Sequence, residues 1–161
     1  MRLHTLTLRG VGPFRDEFTV DFDADGHKLL LIDGDTGSGK STIIDAIVFA
    51  LYGDPADTTA KDRMVSDFLP TRFAKADRPF VELTFTVDRG TFRVRREPSY
   101  DYINRNDKPA TQNTALRLER LPNEVSASAE LVSTSVAEGS TELRSLLQLD
   151  RGQFMATTVL A

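Results

Sequence analysis

The chain has 161 residues, 40% hydrophobic and 27% charged, which suits one globular lobe with a core and excludes a disordered segment. A formal net charge of −4 excludes a protein that coats nucleic acid over its whole surface, so any contact with DNA has to be local. Cysteine is absent, which excludes disulfides and thiolate zinc sites, and no stretch has the pattern of a signal peptide or a membrane span; the expectation is a cytoplasmic lobe with no membrane partner.

Arg2 to Arg9 alternates, with His4, Leu6 and Leu8 on one face, and reads as a strand. Gly10-Val11-Gly12-Pro13 punctuates it, and Glu17 to Phe22 alternates again with Phe18, Val20 and Phe22 together. After a turn at Asp23 to Gly26, the apolar run from Lys28 to Ile32 predicts a strand buried on both faces. The glycine-rich stretch Gly34 to Thr42 comes next. From Ser41 the period changes: Ile43, Ile44, Ile47, Val48 and Leu51 share a helical stripe, which Gly53 and Pro55 stop. Asp54 to Asp77 reads as irregular, with one short helix around Asp62 to Phe68.

Val81 to Val87 then alternates as a strand, Asp88-Arg89-Gly90 is a hairpin signal, and Thr91 to Glu97 answers with Phe92 and Val94 on one face. Pro98 to Asn113 is expected to be a long polar loop, Ala115 to Leu121 another strand, and Pro122-Asn123 a turn. Ser140 is the expected cap of a helix running to about Leu149, with Leu143, Leu146 and Leu147 inward. The stretch from Phe154 to Ala161 is apolar, with Thr157 to Ala161 expected as an exposed strand; with no stop signal after it, the chain is expected to be cut short.

Gly34-x4-Gly39-Lys40-Ser41 fills every fixed position of the phosphate-loop signature. Glycines at 34, 37 and 39 let the backbone wrap a phosphate, and the amides of Gly34, Asp35, Thr36, Gly37, Ser38, Gly39, Lys40, Ser41 and Thr42 make an anion nest at a helix N-terminus. Lys40 supplies a mobile cation to the outer phosphates and is the candidate catalytic residue, while the Ser41 hydroxyl is placed to ligate Mg²⁺; ATP and Mg²⁺ are the implied cofactors. The rival is a chance glycine-rich turn, against which stand the matched positions and the strand–helix frame. Asp33 and Asp35 read as turn residues, since a carboxylate facing phosphate would repel it. A dinucleotide-binding loop fits poorly, because Thr42 stands where a third glycine is needed.

Small-molecule kinases share this loop, but there it normally follows the first strand. Here two alternating strands come before it and a β-hairpin follows the first helix, which points to an ATPase core with an antiparallel sheet attached, as in ABC-type ATPases. No apolar strand ends in Asp-Glu, and no Leu-Ser-Gly-Gly occurs. At this point Leu8-Arg9-Gly10-Val11-Gly12-Pro13-Phe14, Val20-Asp21-Phe22, Gly34 to Thr42, Asp45-Ala46-Ile47, Ala50-Leu51-Tyr52-Gly53, Val81 to Phe85, Phe92 to Arg96 and Gln153-Phe154 resemble the SbcC family, large subunits of a bacterial nuclease and relatives of SMC proteins.

The resemblance implies an α/β fold, the N-terminal lobe of an ABC/SMC-type ATPase head spanning 1–161, with an antiparallel β-meander joined to the phosphate-loop sheet and helix. It also implies that the Q-loop, coiled coil, zinc hook and C-terminal lobe are absent, Gln153 being too early for the Q-loop glutamine. The implied partners are the protein's own C-terminal lobe, a second head in a homodimer, an SbcD-like nuclease and DNA, in ATP-dependent DNA end processing. The rivals are an SMC-type tether or loader without nuclease, and a phosphoryl-transfer enzyme.

Weaker signals remain. Arg93, Arg95 and Arg96, with Arg89, Arg105 and Lys108 near them, form the densest basic region, open to a DNA-backbone contact or to a solvated strand edge. Tyr100 and Tyr102 are open to base stacking or to packing beneath their loop. Arg15 in the lead-in loop and Ser66, within Arg63 to Ser66, are candidates for the base or ribose, with a plain surface role open for Arg15. Neither His4 nor His27 reads as a metal ligand.

Overall fold

In the computed structural model, residues 1–24, 31–56, 78–104, 106–122 and 128–158 are described. Their main element is a six-stranded antiparallel sheet, built from β1 (Arg2–Arg9), β2 (Phe18–Asp21), β3 (Phe80–Val87), β4 (Gly90–Glu97), β7 (Ala115–Leu121) and β8 (Glu130–Ser133) in the order β2-β1-β3-β4-β7-β8. A separate ribbon pairs β5 (Tyr100–Ile103) with β6 (Pro109–Gln112). The helices are α1 (Lys40–Tyr52), α2 (Val136–Leu147) and α3 (Arg151–Thr158).

Strand alternation decides which side is covered. Leu6, Leu83, Val94 and Leu118 stand opposite one another across four strands, and Leu8, Val81, Arg96 and Leu116 make the neighbouring row. Against these rows lie Ile43, Ala46, Val48 and Leu51 of α1 and Leu143 and Leu146 of α2. Each such aliphatic side chain, fully buried, contributes about 1.5–3 kcal/mol. Helix α2 approaches the sheet closely enough that a Cβ on Gly139 would lie 2.3 Å from Leu116 Cδ2. The opposite face carries Glu82, Thr84, Arg93, Arg95, Arg117 and Glu119.

The expected strands at 2–9, 17–22, 81–87, 91–97 and 115–121 are all present, and Gly53 ends α1 in the left-handed region as expected (φ 87°). Other expectations need correction. Leu31 and Ile32 are not in a strand and are 85% and 37% exposed, because no strand among the described residues lies beside them to take their backbone hydrogen bonds. A sheet of the phosphate-loop type is therefore missing from the described residues, and α1 packs on the antiparallel sheet instead.

Within α1, Ile44 leaves the expected stripe and is 40% exposed, whereas Phe49 and Ala50 join the buried set. The supposed loop at 98–113 is the β5–β6 ribbon, its turn closed by Asn104, whose side chain accepts from the Asn106 and Lys108 amides. Helix α2 is capped by Ser135 and not by Ser140: Ser135 Oγ accepts from the Glu138 amide at 3.3 Å, and Gln148 ends the helix with φ 55°. The expected strand at 157–161 is overturned at its start, since Thr157 and Thr158 are helical; 159–161, the short helix at 62–68, His27 and Arg105 lie outside the described residues.

Candidate functional site

The glycine-rich stretch runs into α1 with backbone geometry that only glycine takes without strain. Gly37 has φ 87° and Gly39, the N-cap, φ 104°. Gly39 is also hemmed in: a Cβ there would lie 2.6 Å from the Phe14 ring and 2.9 Å from Pro13 Cγ. The lead-in loop is itself a tight turn, with Val11 and Phe14 exchanging backbone hydrogen bonds. Gly12 faces α1 in the same way, a Cβ on it falling 2.8 Å from Thr42 Cγ2. The spacing from Gly12 to Phe14 is thus a packing surface for the start of α1.

Lys40 Nζ lies over the loop and donates to the carbonyls of Gly34 at 2.5 Å and Asp35 at 2.8 Å. The Asp35 carbonyl also accepts from the Ser38 amide at 3.1 Å, so Asp35 is the turn residue its sequence context suggests. The first-turn amides of a helix have no intrahelical partner, and Gly39 brings no side chain to cap them. No acidic residue occupies that turn either, so the helix brings no carboxylate of its own to the positive end of its dipole. Ser41 is exposed beside them and Thr42 half-buried. The glycine torsions, the uncapped amides and the lysine over them suit a phosphate chain. Among the described residues no group of three or more His, Asp and Glu is placed to hold a metal.

The other candidate residues divide. Arg15 follows Phe14 on the packed lead-in loop with its side chain exposed, and Ser66 lies outside the described residues. The basic cluster on β4 is not a cluster. Arg93 and Arg95 point to the open face, but Arg96 points into the core and is 3% exposed, so Arg96 cannot meet DNA. Arg93 donates to Glu119 through Nε and Nη2 at 3.0 and 2.8 Å. Arg95 pairs with Glu82 at 3.5 Å and lies 3.5 Å over the Phe80 ring. Tyr100 is buried, 6.0 Å from Tyr102, as packing beneath the ribbon requires; burial holds its hydroxyl above the ordinary phenol range.

His4 sits where β1 shifts register against β3, its Nδ1 2.5 Å from Asp23 Oδ2 and its Nε2 2.7 Å from Thr86 Oγ1. The hydrogen bonds from His4 and Arg2 hold the Asp23 carboxyl below its usual range.

Gln153 has a structural task that its sequence position alone does not reveal. Its Oε1 accepts from the Asp150 amide at 2.9 Å, while Asp150 Oδ1 accepts from the Gln153 amide at 2.8 Å. This reciprocal pair starts α3. The same helix grips the far end of α1: Tyr52 donates to the Leu149 carbonyl at 3.2 Å and packs 5.5 Å from Phe154, and Arg151 donates to the Ala56 carbonyl at 2.7 Å. Burial, helped by Asp150, pushes the Tyr52 hydroxyl up to about 12. No helix among the described residues is long and apolar enough to cross a membrane.

Comparison with known proteins places the site in context. A family described as an AAA domain matches residues 5–154. The SbcC protein of the SbcCD nuclease from Staphylococcus saprophyticus is 32% identical over 161 residues, covering 96% of this chain and 16% of that protein. The corresponding SbcC protein of Treponema pallidum is 40% identical over 96 residues, 60% of this chain and 9% of that protein, and that of Vibrio cholerae is 31% identical over 99% of this chain and 15% of that protein. The chain thus spans 9% to 16% of the length of these relatives.

Proposed function

The chain belongs to the AAA domain family, and from that premise we propose that it is the Mg-ATP-binding part of an SbcC-like ATPase head. The observation that carries this reading is the arrangement at the start of α1: Lys40 over a loop that turns through Gly37 and Gly39, at an uncapped helix end held in place by Pro13 and Phe14. In the proposed site the amides from Gly34 to Thr42 hold the phosphates and Lys40 neutralises the outer ones. Ser41 gives its hydroxyl to Mg²⁺, which supplies charge neutralisation at the phosphates when bound. Arg15 and Ser66 are assigned to the base and ribose side.

The names of the relatives support the wider proposal that the whole protein is an ATPase working with an SbcD-like nuclease in DNA end processing and repair. Its proposed partners are a C-terminal lobe, a second head in a homodimer, the SbcD-like nuclease and DNA. On β4, Arg93 and Arg95 remain available for a DNA phosphate only by giving up part of their pairing with Glu119 and Glu82.

The experiment is a titration of the protein with a fluorescent ATP analogue, with and without Mg²⁺. Lys40→Ala removes a charged phosphate ligand worth roughly 1.5–3 kcal/mol, or about 10- to 150-fold in affinity. Ser41→Ala is expected to weaken Mg-ATP more than metal-free ATP. Wild-type affinity in Lys40→Ala refutes the assignment, and equal losses for Ser41→Ala move the hydroxyl from metal to phosphate.

A further inference from the structure

One charged side chain interrupts the apolar rows under the helices. Arg96 stands between Val81 and Leu116 in a row whose other members are aliphatic. Desolvating a guanidinium is costly, and an apolar side chain of similar length often packs there at no loss of stability. The contacts of Arg96 indicate what the charge does. Its Nε donates to the Ala50 carbonyl at 2.8 Å, and its Nη2 to Leu51 O at 3.5 Å and Ser140 Oγ at 3.0 Å.

Ala50 and Leu51 fall in the last turn of α1, where carbonyls have no intrahelical amide to accept from. The helix has no basic residue of its own in that turn, so the cation its dipole favours comes from β4. Gly53 makes room for it: a Cβ there would lie 3.3 Å from Arg96 Nη1. Burial lowers the guanidinium to about 10, with Arg144 adding to the effect and Asp54 opposing it, which leaves it charged at neutral pH.

We propose that Arg96 is a positioning residue for the nucleotide site: by tying the carboxyl end of α1 to β4 and α2, it sets the placement of Gly39, Lys40 and Ser41 at the amino end. A helix of 13 residues is a stiff rod about 20 Å long, so displacement at one end is carried to the other. The amino end is seated through Gly39 on Phe14 and Pro13, through Thr42 on Gly12 and through Ile43 in the core. At the other end Arg96 adds directional hydrogen bonds to the apolar packing of Val48 to Leu51 and to the Tyr52 hydrogen bond. This inference rests on reading 34–42 as the phosphate cradle.

The test titrates the protein and its Arg96→Met, Arg96→Lys and Ser140→Ala variants with a fluorescent ATP analogue and Mg²⁺, well below their melting temperatures. Amide hydrogen exchange of 36–49 is followed in parallel. Arg96→Met is expected to lose roughly 5- to 150-fold in affinity, the range of ordinary coupling between distant sites, and to exchange faster through 36–49. Arg96→Lys, which keeps one cation near the carbonyls, is expected to recover part of the loss, and Ser140→Ala to lose less than Arg96→Met.

A lower melting temperature with wild-type affinity in Arg96→Met overturns the proposal and leaves Arg96 as a stability element. If Arg96→Met does not fold, unchanged affinity and unchanged exchange in both other variants overturn it equally. Absence of analogue binding by the wild type brings down the cradle reading and this inference with it. Wild-type binding with unchanged variants removes this inference alone.

Discussion

At its amino end α1 has no side-chain cap, with a glycine at the N-cap and no acidic residue in its first turn. At its carboxyl end the same helix is enclosed: Leu51 is fully buried, Gly53 closes the last turn onto the Phe49 carbonyl, and Arg96 and Tyr52 tie it to β4 and to the start of α3. The difference separates two demands on one element. The first-turn amides have no side-chain cap, whereas the last-turn carbonyls are satisfied within the chain.

The largest expected effect tests that division directly. Leu51→Ala opens a cavity against the sheet and is expected to cost about 2–5 kcal/mol. Lys40→Ala, on a half-buried side chain whose partners are loop carbonyls, is expected to change stability by no more than about 0.5 kcal/mol. Urea unfolding of both variants measures the contrast. Comparable losses in the two would mean that the amino end carries as much of the fold as the carboxyl end.

A sharper cut lies within the loop itself, between two glycines that share a left-handed backbone. At Gly37 a Cβ meets nothing within 4 Å, so Gly37→Ala is expected to cost the conformational penalty alone, roughly 1–2 kcal/mol. At Gly39 the same methyl meets Phe14 and Pro13, so Gly39→Ala is expected to cost more than Gly37→Ala and to displace the lead-in loop. Adding Phe14→Ala to Gly39→Ala should recover part of the difference and leave the torsional part. Equal costs at the two glycines, measured by thermal unfolding, would show that the contact with Phe14 yields easily.

What the sequence made legible follows from how local each signal is. The glycine turns before α1 and the end of α1 were readable because glycine torsions and caps are set by neighbouring residues. The strands β3, β4 and β7 were readable because alternation is local too. The β5–β6 ribbon was missed because its polar, short strands carry no alternation, and the information lies in Asn104 and in the left-handed turn at Asp107. Ser135-x-x-Glu138 is a capping signal five residues before Ser140.

The fate of the arginines was half legible. Phe92, Val94 and Arg96 share one parity along β4, so Arg96 belonged to the inward set while Arg93 and Arg95 did not. Counting charge along the strand hid that, because a cluster in sequence is divided between two faces in a sheet. Leu31 and Ile32 show the opposite limit: an apolar run states a wish to be covered but not what covers it.

The smallest expected effect concerns that divided charge, on the face of the sheet away from α1. Glu119 has a side chain 10% exposed and accepts from Arg93 through Oε2 and from Arg117 through Oε1, with Arg117 Nε at 2.8 Å. Burial pushes its carboxyl up, but the hydrogen bonds from Arg117 and Arg93 outweigh that and hold it below the usual range. A carboxyl lowered by folding stabilises the folded state above its unfolded pKa of about 4.3, and the contribution disappears as pH falls through the folded value.

The arginines are 37% and 54% exposed, so solvent screening keeps the expected gain to about 1 kcal/mol or less. Glu119→Gln is therefore expected to be less stable than wild type at pH 7, and the gap to close progressively below about pH 4.3, as position 119 becomes neutral in both proteins there. Urea unfolding of the two proteins at pH 7 and at successively lower pH measures it. A gap that persists undiminished into acid would mean that Glu119 acts through shape and not charge. No gap at pH 7 would mean that the pairs of Glu119 with Arg93 and Arg117 contribute no net stability.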